Sequence, residues 1–265
     1  MIELSVAGIG VRGPGLDGWT SSRPILAGAA PYIAASVALP APSLLPAAER
    51  RRAVPTVKLA LAVGTEALQQ AGLRSADIAT VFSSSGGDGE TIDAILRVLA
   101  TAEREVSPTR FHNSVHNAPS GYWTIATGSR EPSTSLCAHD GSFAVGLLDA
   151  AVQAAVDRRP VALVAYDLSY PAPLSTARPI GSVFGVSLVL RPASDGDALA
   201  SLKIRTRHDG GAPTVLDEPA LEAIRAGNPA ARSLPLLAAL ARTSPTTIRL
   251  PSTPGLLLEI AVTPA

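Results

Sequence analysis

The stretch "PSTSLCAHDGSFAVGLLDAAVQAAV" (Pro132 to Val156) decides the fold. Its first part, "PSTSLCA", reads as a strand. Its last part, "SFAVGLLDAAVQAAV", is a helix so apolar that it must be buried on most sides. Between them lies a tight elbow carrying a thiol (Cys137), an imidazole (His139) and a carboxylate (Asp140). A strand that turns directly into a buried helix is the repeating unit of a layered α/β sheet.

The same alternation continues outward. "PTVKLALAVGTEALQQAG" is a helix with Pro55 before it and Gly72 after it. "DIATVFSSSGG" is a buried strand ending in a glycine loop, and "DGETIDAILRVLA" is a helix with Asp88 as its N-cap. "HNAPSGYWTIATG" is a short segment closed by Gly128, and "PVALVAYDL" is another buried strand. Ile2 to Ile9 is a first strand, stopped by Gly10. "SVFGVSLVLRP" and "LASLKIRTR" are strands of the same sheet. The tail holds two short helices around Pro229 and two closing strands, "TTIRL" and "GLLLEIAV". The pattern predicts a largely parallel sheet with helices on its faces. We divide the chain into residues 1–206 and a closing section, 207–265, within one globular unit.

Composition narrows the function. The 265 residues are 46% hydrophobic and 17% charged, with formal net charge +0. That fits a globular chain with much buried or interface surface, and gives no broad attraction to nucleic acid. One cysteine rules out an intrachain disulfide framework and fits a reducing cytoplasm. Four scattered histidines form no metal pattern, and no cofactor is expected. Prolines 31, 40, 42 and 46 break the apolar run near Ile25 to Ala48, so it is no membrane span.

The elbow allows several chemistries. Cys137, His139 and Asp140 could form a compact triad, although neighbouring strand residues point to opposite faces. Cys137 could act alone as an acyl-transfer nucleophile, or be a small core hydrophobe inside the strand. Asp140 could be a general base, or could cap the helix that starts near Gly141. The loop Ser83 to Glu90 has the strand-to-helix context of a phosphate site and would suit a small-ligand module. It lacks the Gly-Lys-Ser/Thr and three-glycine signatures, so a plain tight strand-to-helix turn is the better reading of it.

The order of segments resembles the N-terminal half of the β-ketoacyl-acyl carrier protein synthases, on the thiolase fold. "SVAGIGVRGP" is similar to their opening strand, and "KLALAVGTEALQQAGL" to their first long helix. "VFSSSGGDGETI" is similar to the next strand, turn and helix. "SPTRFHNSVHNAPSGYWTIATGSREPSTS" resembles the segment that runs along the dimer interface into the nucleophile strand. "IGSVFGVSLVLRP" resembles their glycine-bearing strands with the glycines thinned. The resemblance covers roughly residues 1–206.

It also implies a loss. Counted without a gap from Gly128, the family's nucleophilic cysteine falls on Asp140, and a carboxylate cannot carry a thioester. Neither catalytic-histidine motif is found, so no such role passes to His112, His116 or His139. What the resemblance implies is an inactive chain length factor-like subunit of the kind encoded with aryl polyene-type pathways. Its partner would be an active synthase, and through it an acyl carrier protein bearing a phosphopantetheine-bound chain. By the same resemblance the strand 133–138, with Ser135 and Leu136, would pair across the interface. Asn113, His116, Asn117, Tyr122 and Trp123 would approach the acyl channel, where Phe111, Tyr122 and Trp123 are bulky enough to set chain length.

Overall fold

The computed structural model describes residues 1–193, 198–208 and 211–265. In chain order the elements are β1 (Ile2–Gly13), β2 (Leu16–Asp17), α1 (Trp19–Leu26), α2 (Ala47–Arg52), α3 (Pro55–Gln70), β3 (Ala79–Ser83) and α4 (Gly89–Leu99). Then come α5 (Pro108–Asn113), α6 (Ala118–Thr127), β4 (Ser133–Leu136), α7 (Ser142–Asp157), β5 (Val161–Asp167), α8 (Leu174–Ala177) and β6 (Phe184–Pro192). The chain closes with β7 (Ala200–Arg207), α9 (Pro219–Gly227), α10 (Leu234–Ala241), β8 (Thr246–Pro251) and β9 (Leu257–Pro264).

The strands form one sheet in the order β4-β3-β5-β6-β1-β7-β9-β8, with β2 paired to β1. Every residue of β5 is buried, as its unbroken apolar run demands. Helices α7 and α10 pack on one face, where Phe143 and Leu147 meet Val81 and Leu163. Helices α3 and α6 cover the other, where Val63, Leu68 and Trp123 meet Phe82 and Val164. A mixed α/β sheet with helices on both faces is the predicted class.

The largely parallel pairing is not found. Among the described strands β3 runs parallel to β4 and to β5, and the remaining pairs are antiparallel. The reason lies in the connection. A parallel return needs a crossover, usually a helix, and the link from β5 to β6 contains only the four-residue α8. Strand β1 also departs from expectation, running on past Gly10 to Gly13. Gly10 does not stop the strand; together with Gly8 it lets α3 approach. A Cβ at Gly8 would lie 2.0 Å from the Ala67 carbonyl oxygen, and one at Gly10 would lie 2.1 Å from that of Val63.

In the closing section every residue of α10 is buried. Strand β9 pairs with β7 and carries β8 on its far side. Among the described residues no helix is long and apolar enough to cross a membrane.

Candidate functional site

Strand β4 ends where its ladder with β3 ends, at Ser83 opposite Leu136. Cys137 therefore lies beyond the strand, and it is exposed. This corrects the expectation of a core thiol inside the strand: the ladder with β3 ends one residue before it. The Cys137 thiol donates to the Ser85 carbonyl at 3.1 Å.

After Ala138 the chain makes one tight turn, His139–Gly141, with His139 at φ 50°. Few non-glycine residues adopt that conformation. Ser142 holds the turn. Its hydroxyl accepts from the Ala138 N–H at 2.9 Å and donates to the His139 carbonyl at 2.7 Å. The Ser83 hydroxyl donates to the Ser142 carbonyl at 2.7 Å and ties the turn to β3. Gly141 accepts the turn preceding β9: a Cβ there would sit 1.6 Å from the Ser252 carbonyl oxygen.

Asp140 does not cap α7, whose N-cap is Gly141 with no side-chain bond. Its carboxylate takes one hydrogen bond from Arg178 at 2.6 Å and one from Arg232 at 2.9 Å. Both arginines belong to this same chain. Partial burial raises the Asp140 pKa, but the Arg178 hydrogen bond and the Arg232 charge outweigh it and hold the group below its ordinary range. His139 stands 3.6 Å from Asp140 and is mostly exposed.

No compact triad forms. The thiol's bond goes to a backbone carbonyl, and among the described residues no hydrogen bond joins Cys137 to an imidazole. A cavity of about 670 Å3 opens beside the elbow, between His139, Asp140 and Arg232 on one side and Ser252 and Leu256 on the other. No group of His, Cys, Asp and Glu among the described residues could hold a metal ion.

The glycine loop is a closed turn. Asp88 caps α4, accepting from the Thr91 N–H at 2.8 Å and from the Thr56 hydroxyl at 2.9 Å. Tyr170 lies over the loop so closely that a Cβ on Gly86 would fall 1.9 Å from its hydroxyl. The space a phosphate would need at this helix N-terminus is already filled.

The remaining predicted residues divide by burial. Tyr122 and Trp123 are each 1% exposed. Trp123 stands edge-on to Phe82 at 6.1 Å, against Gly64 of α3. Phe111 is 67% exposed. Asn113 is buried and donates to the Arg52 carbonyl at 3.0 Å, while His116 Nε2 lies 3.1 Å from the Ser84 carbonyl oxygen. Asn117 is exposed at the start of α6. Ser135 and Leu136 are half-buried on β4, and the Ser135 hydroxyl donates to that of Ser120 at 3.3 Å.

Strand β4 stands at the edge of the sheet. On one face Gln153 of α7 donates to Thr134, and on the other Ser120 of α6 meets Ser135. Beside these contacts Ile125 of α6 and Val152 and Val156 of α7 are exposed. An open strand edge framed by uncovered apolar side chains is a template for pairing with another chain.

Three residues of this region had no local sequence signal, or almost none. Arg178 and Arg232 lie 38 and 92 positions from Asp140. Asp167 ends the apolar run of β5 and is 2% exposed. Its Oδ1 accepts from the Ser85 N–H at 2.8 Å and hydroxyl at 2.7 Å, and from the Ser84 hydroxyl at 3.1 Å. Oδ2 has no partner among the described residues, and burial pushes the pKa up to about 6 against the pull of those bonds. A carboxylate closing an otherwise apolar strand was the clue available for it.

Comparison with known proteins places this geometry. The family model for the β-ketoacyl synthase N-terminal domain matches residues 27–245, well over half of the chain. No curated protein matches. Among solved structures, the chain is similar to one described as a ketosynthase in complex with its chain length factor from Xenorhabdus doucetiae. Identity is 24% and the TM-score 0.73, with 98% of this chain and 100% of that chain covered. It is also similar to the ishigamide ketosynthase/chain length factor, at 14% identity and TM-score 0.73 over 100% of this chain and 99% of that one. A third likeness is to a type II polyketide acyl carrier protein complex with its ketosynthase, at 12% identity and TM-score 0.75, again over 100% and 99%. These likenesses establish a shared thiolase-like ketosynthase fold, and the family match says more: the chain belongs to the β-ketoacyl synthase family, through its N-terminal domain.

Proposed function

We propose that this chain is a non-catalytic, chain length factor-like partner of an active β-ketoacyl-acyl carrier protein synthase. In this role it shapes the acyl tunnel and product length in a polyketide or fatty-acid-type pathway, with an aryl polyene-type pathway as the specific reading. The observation that carries the proposal is the elbow. The position that the resemblance gives to the nucleophile is Asp140, and two arginines of the same chain hold it as a carboxylate. A carboxylate so held is neither a thioester-forming group nor a free base.

The β4 edge and its flanking apolar residues support a partner across that edge. Phe111, exposed before α6, is the bulky candidate for contact with the partner's acyl channel. Tyr122 and Trp123 act from behind, as the packed floor that fixes α6. The solved relatives described as ketosynthase–chain length factor pairs support the same assembly.

The test is co-expression with candidate synthases. A stable heterodimer whose products shift in length when Phe111 is replaced by alanine is expected. A chain that co-purifies with no synthase and changes no product distribution would refute the proposal.

A further inference from the structure

A second cavity, of about 570 Å3, lies between α3 and residues 40–44. That volume falls within the range of small-molecule pockets. Its floor is one face of α3, where Lys58, Leu61, Ala62, Thr65, Glu66 and Gln69 recur at helical spacing. Pro40, Pro42 and Leu44 form the opposite wall, and Leu44 is 48% exposed although it faces other apolar groups.

The charges sort themselves. Asp17 pairs with Arg12 at 3.0 Å. Glu66 accepts from the backbone N–H groups of Trp19 at 2.5 Å and Val11 at 3.3 Å, and lies 3.6 Å from Arg12. Arg12 and both acids are therefore engaged at one end. Lys58 sits eight residues along α3 from Glu66, roughly 12 Å away along the helix axis. It is half-buried, and no acid among the described residues pairs with it. Between the two ends the surface is Leu61, Ala62 and Leu44.

From this layout we infer that the groove binds a small carboxylate with an apolar body, its charge on Lys58 and its chain along Leu61, Ala62 and Leu44. An amine would meet Lys58 as a like charge, and a neutral chain would leave the ammonium unmatched.

Calorimetric titration of the full chain with octanoate tests the inference, with octanol and octylamine as controls. We expect saturable one-to-one binding of octanoate, tightening by roughly fourfold per methylene from hexanoate to decanoate. Lys58→Met should weaken octanoate about tenfold or more and leave octanol unchanged. Ala62→Trp, with its fold checked by circular dichroism, should abolish binding by filling the groove. Non-saturable binding, octanol or octylamine binding as tightly as octanoate, or full octanoate affinity in either variant would overturn it.

Discussion

Two carboxylates stand near the same end of the sheet and behave oppositely. Asp140, in the elbow, is partly exposed and has two guanidinium partners; its pKa is held below the ordinary range. Asp167, at the end of β5, is sealed among serine donors with one oxygen unpartnered among the described residues, and its pKa is pushed up to about 6. Both feel Arg178, but only Asp140 touches it. Direct charge pairing favours the ionised form, and dry burial favours the protonated one even when neutral donors are supplied. The fold thus keeps the elbow charged and leaves Asp167 close to neutralisation near pH 6.

The largest effects should come from breaking the packing beneath these groups. Trp123→Ala removes a fully buried ring from the α3–α6 layer and should cost about 3–5 kcal/mol in urea unfolding. Gly141→Val drives a side chain into the Ser252 carbonyl and should cost about 3 kcal/mol, displacing the closing hairpin from the elbow. A small loss for Gly141→Val would show that the elbow is looser than its contacts imply, and a small loss for Trp123→Ala that the α3–α6 layer is.

The next test separates the carboxylates by pH. For Asp167 the folded pKa of about 6 lies above the unfolded value, so the folded state binds the proton more tightly. Its contribution is fully present below about pH 4 and is lost as pH rises through about 6; a shift of that size amounts to roughly 3 kcal/mol. Asp167→Asn should therefore flatten unfolding stability between about pH 4 and 6.5, the window set by the ordinary value and the raised one. An unchanged slope there would deny that the group is sealed.

Asp140 has the opposite sign. Its depressed folded pKa stabilises the protein above the unfolded value near 4, and the benefit is lost as pH falls through the folded value. Asp140→Ala should cost about 1–2 kcal/mol at neutral pH. That is below the loss for a fully buried pair, because solvent screens a carboxylate that is 37% exposed. Smallest of all, Phe111→Ala should change stability by less than about 0.5 kcal/mol, since the ring packs on little of its own chain. A larger loss would mean that Phe111 belongs to the core and not to a partner.

The same contrast explains what could be read from the sequence. Local signals were legible: the all-apolar α7, Asp88 capping α4, the left-handed Gly128 closing α6, and the final β8–β9 hairpin. Each depends on residues within a few positions. The antiparallel turn of the sheet after β5 depends on how short a helix the β5–β6 link holds, which periodicity does not report. Gly10 reads as a strand stop because the helix it accommodates lies about 55 positions away. At the elbow the residue types were visible but their partners were not. Nothing near Asp140 announces Arg178 or Arg232, and nothing in "SLCAHD" shows that the ladder with β3 ends before Cys137.

The most direct test of the central claim is intact-mass analysis after the co-purified chain and its synthase are incubated together with acyl-loaded acyl carrier protein. The synthase is expected to gain the acyl mass while this chain does not. Acylation of this chain, mapped by peptide sequencing to Cys137 and abolished by Cys137→Ser, would contradict it.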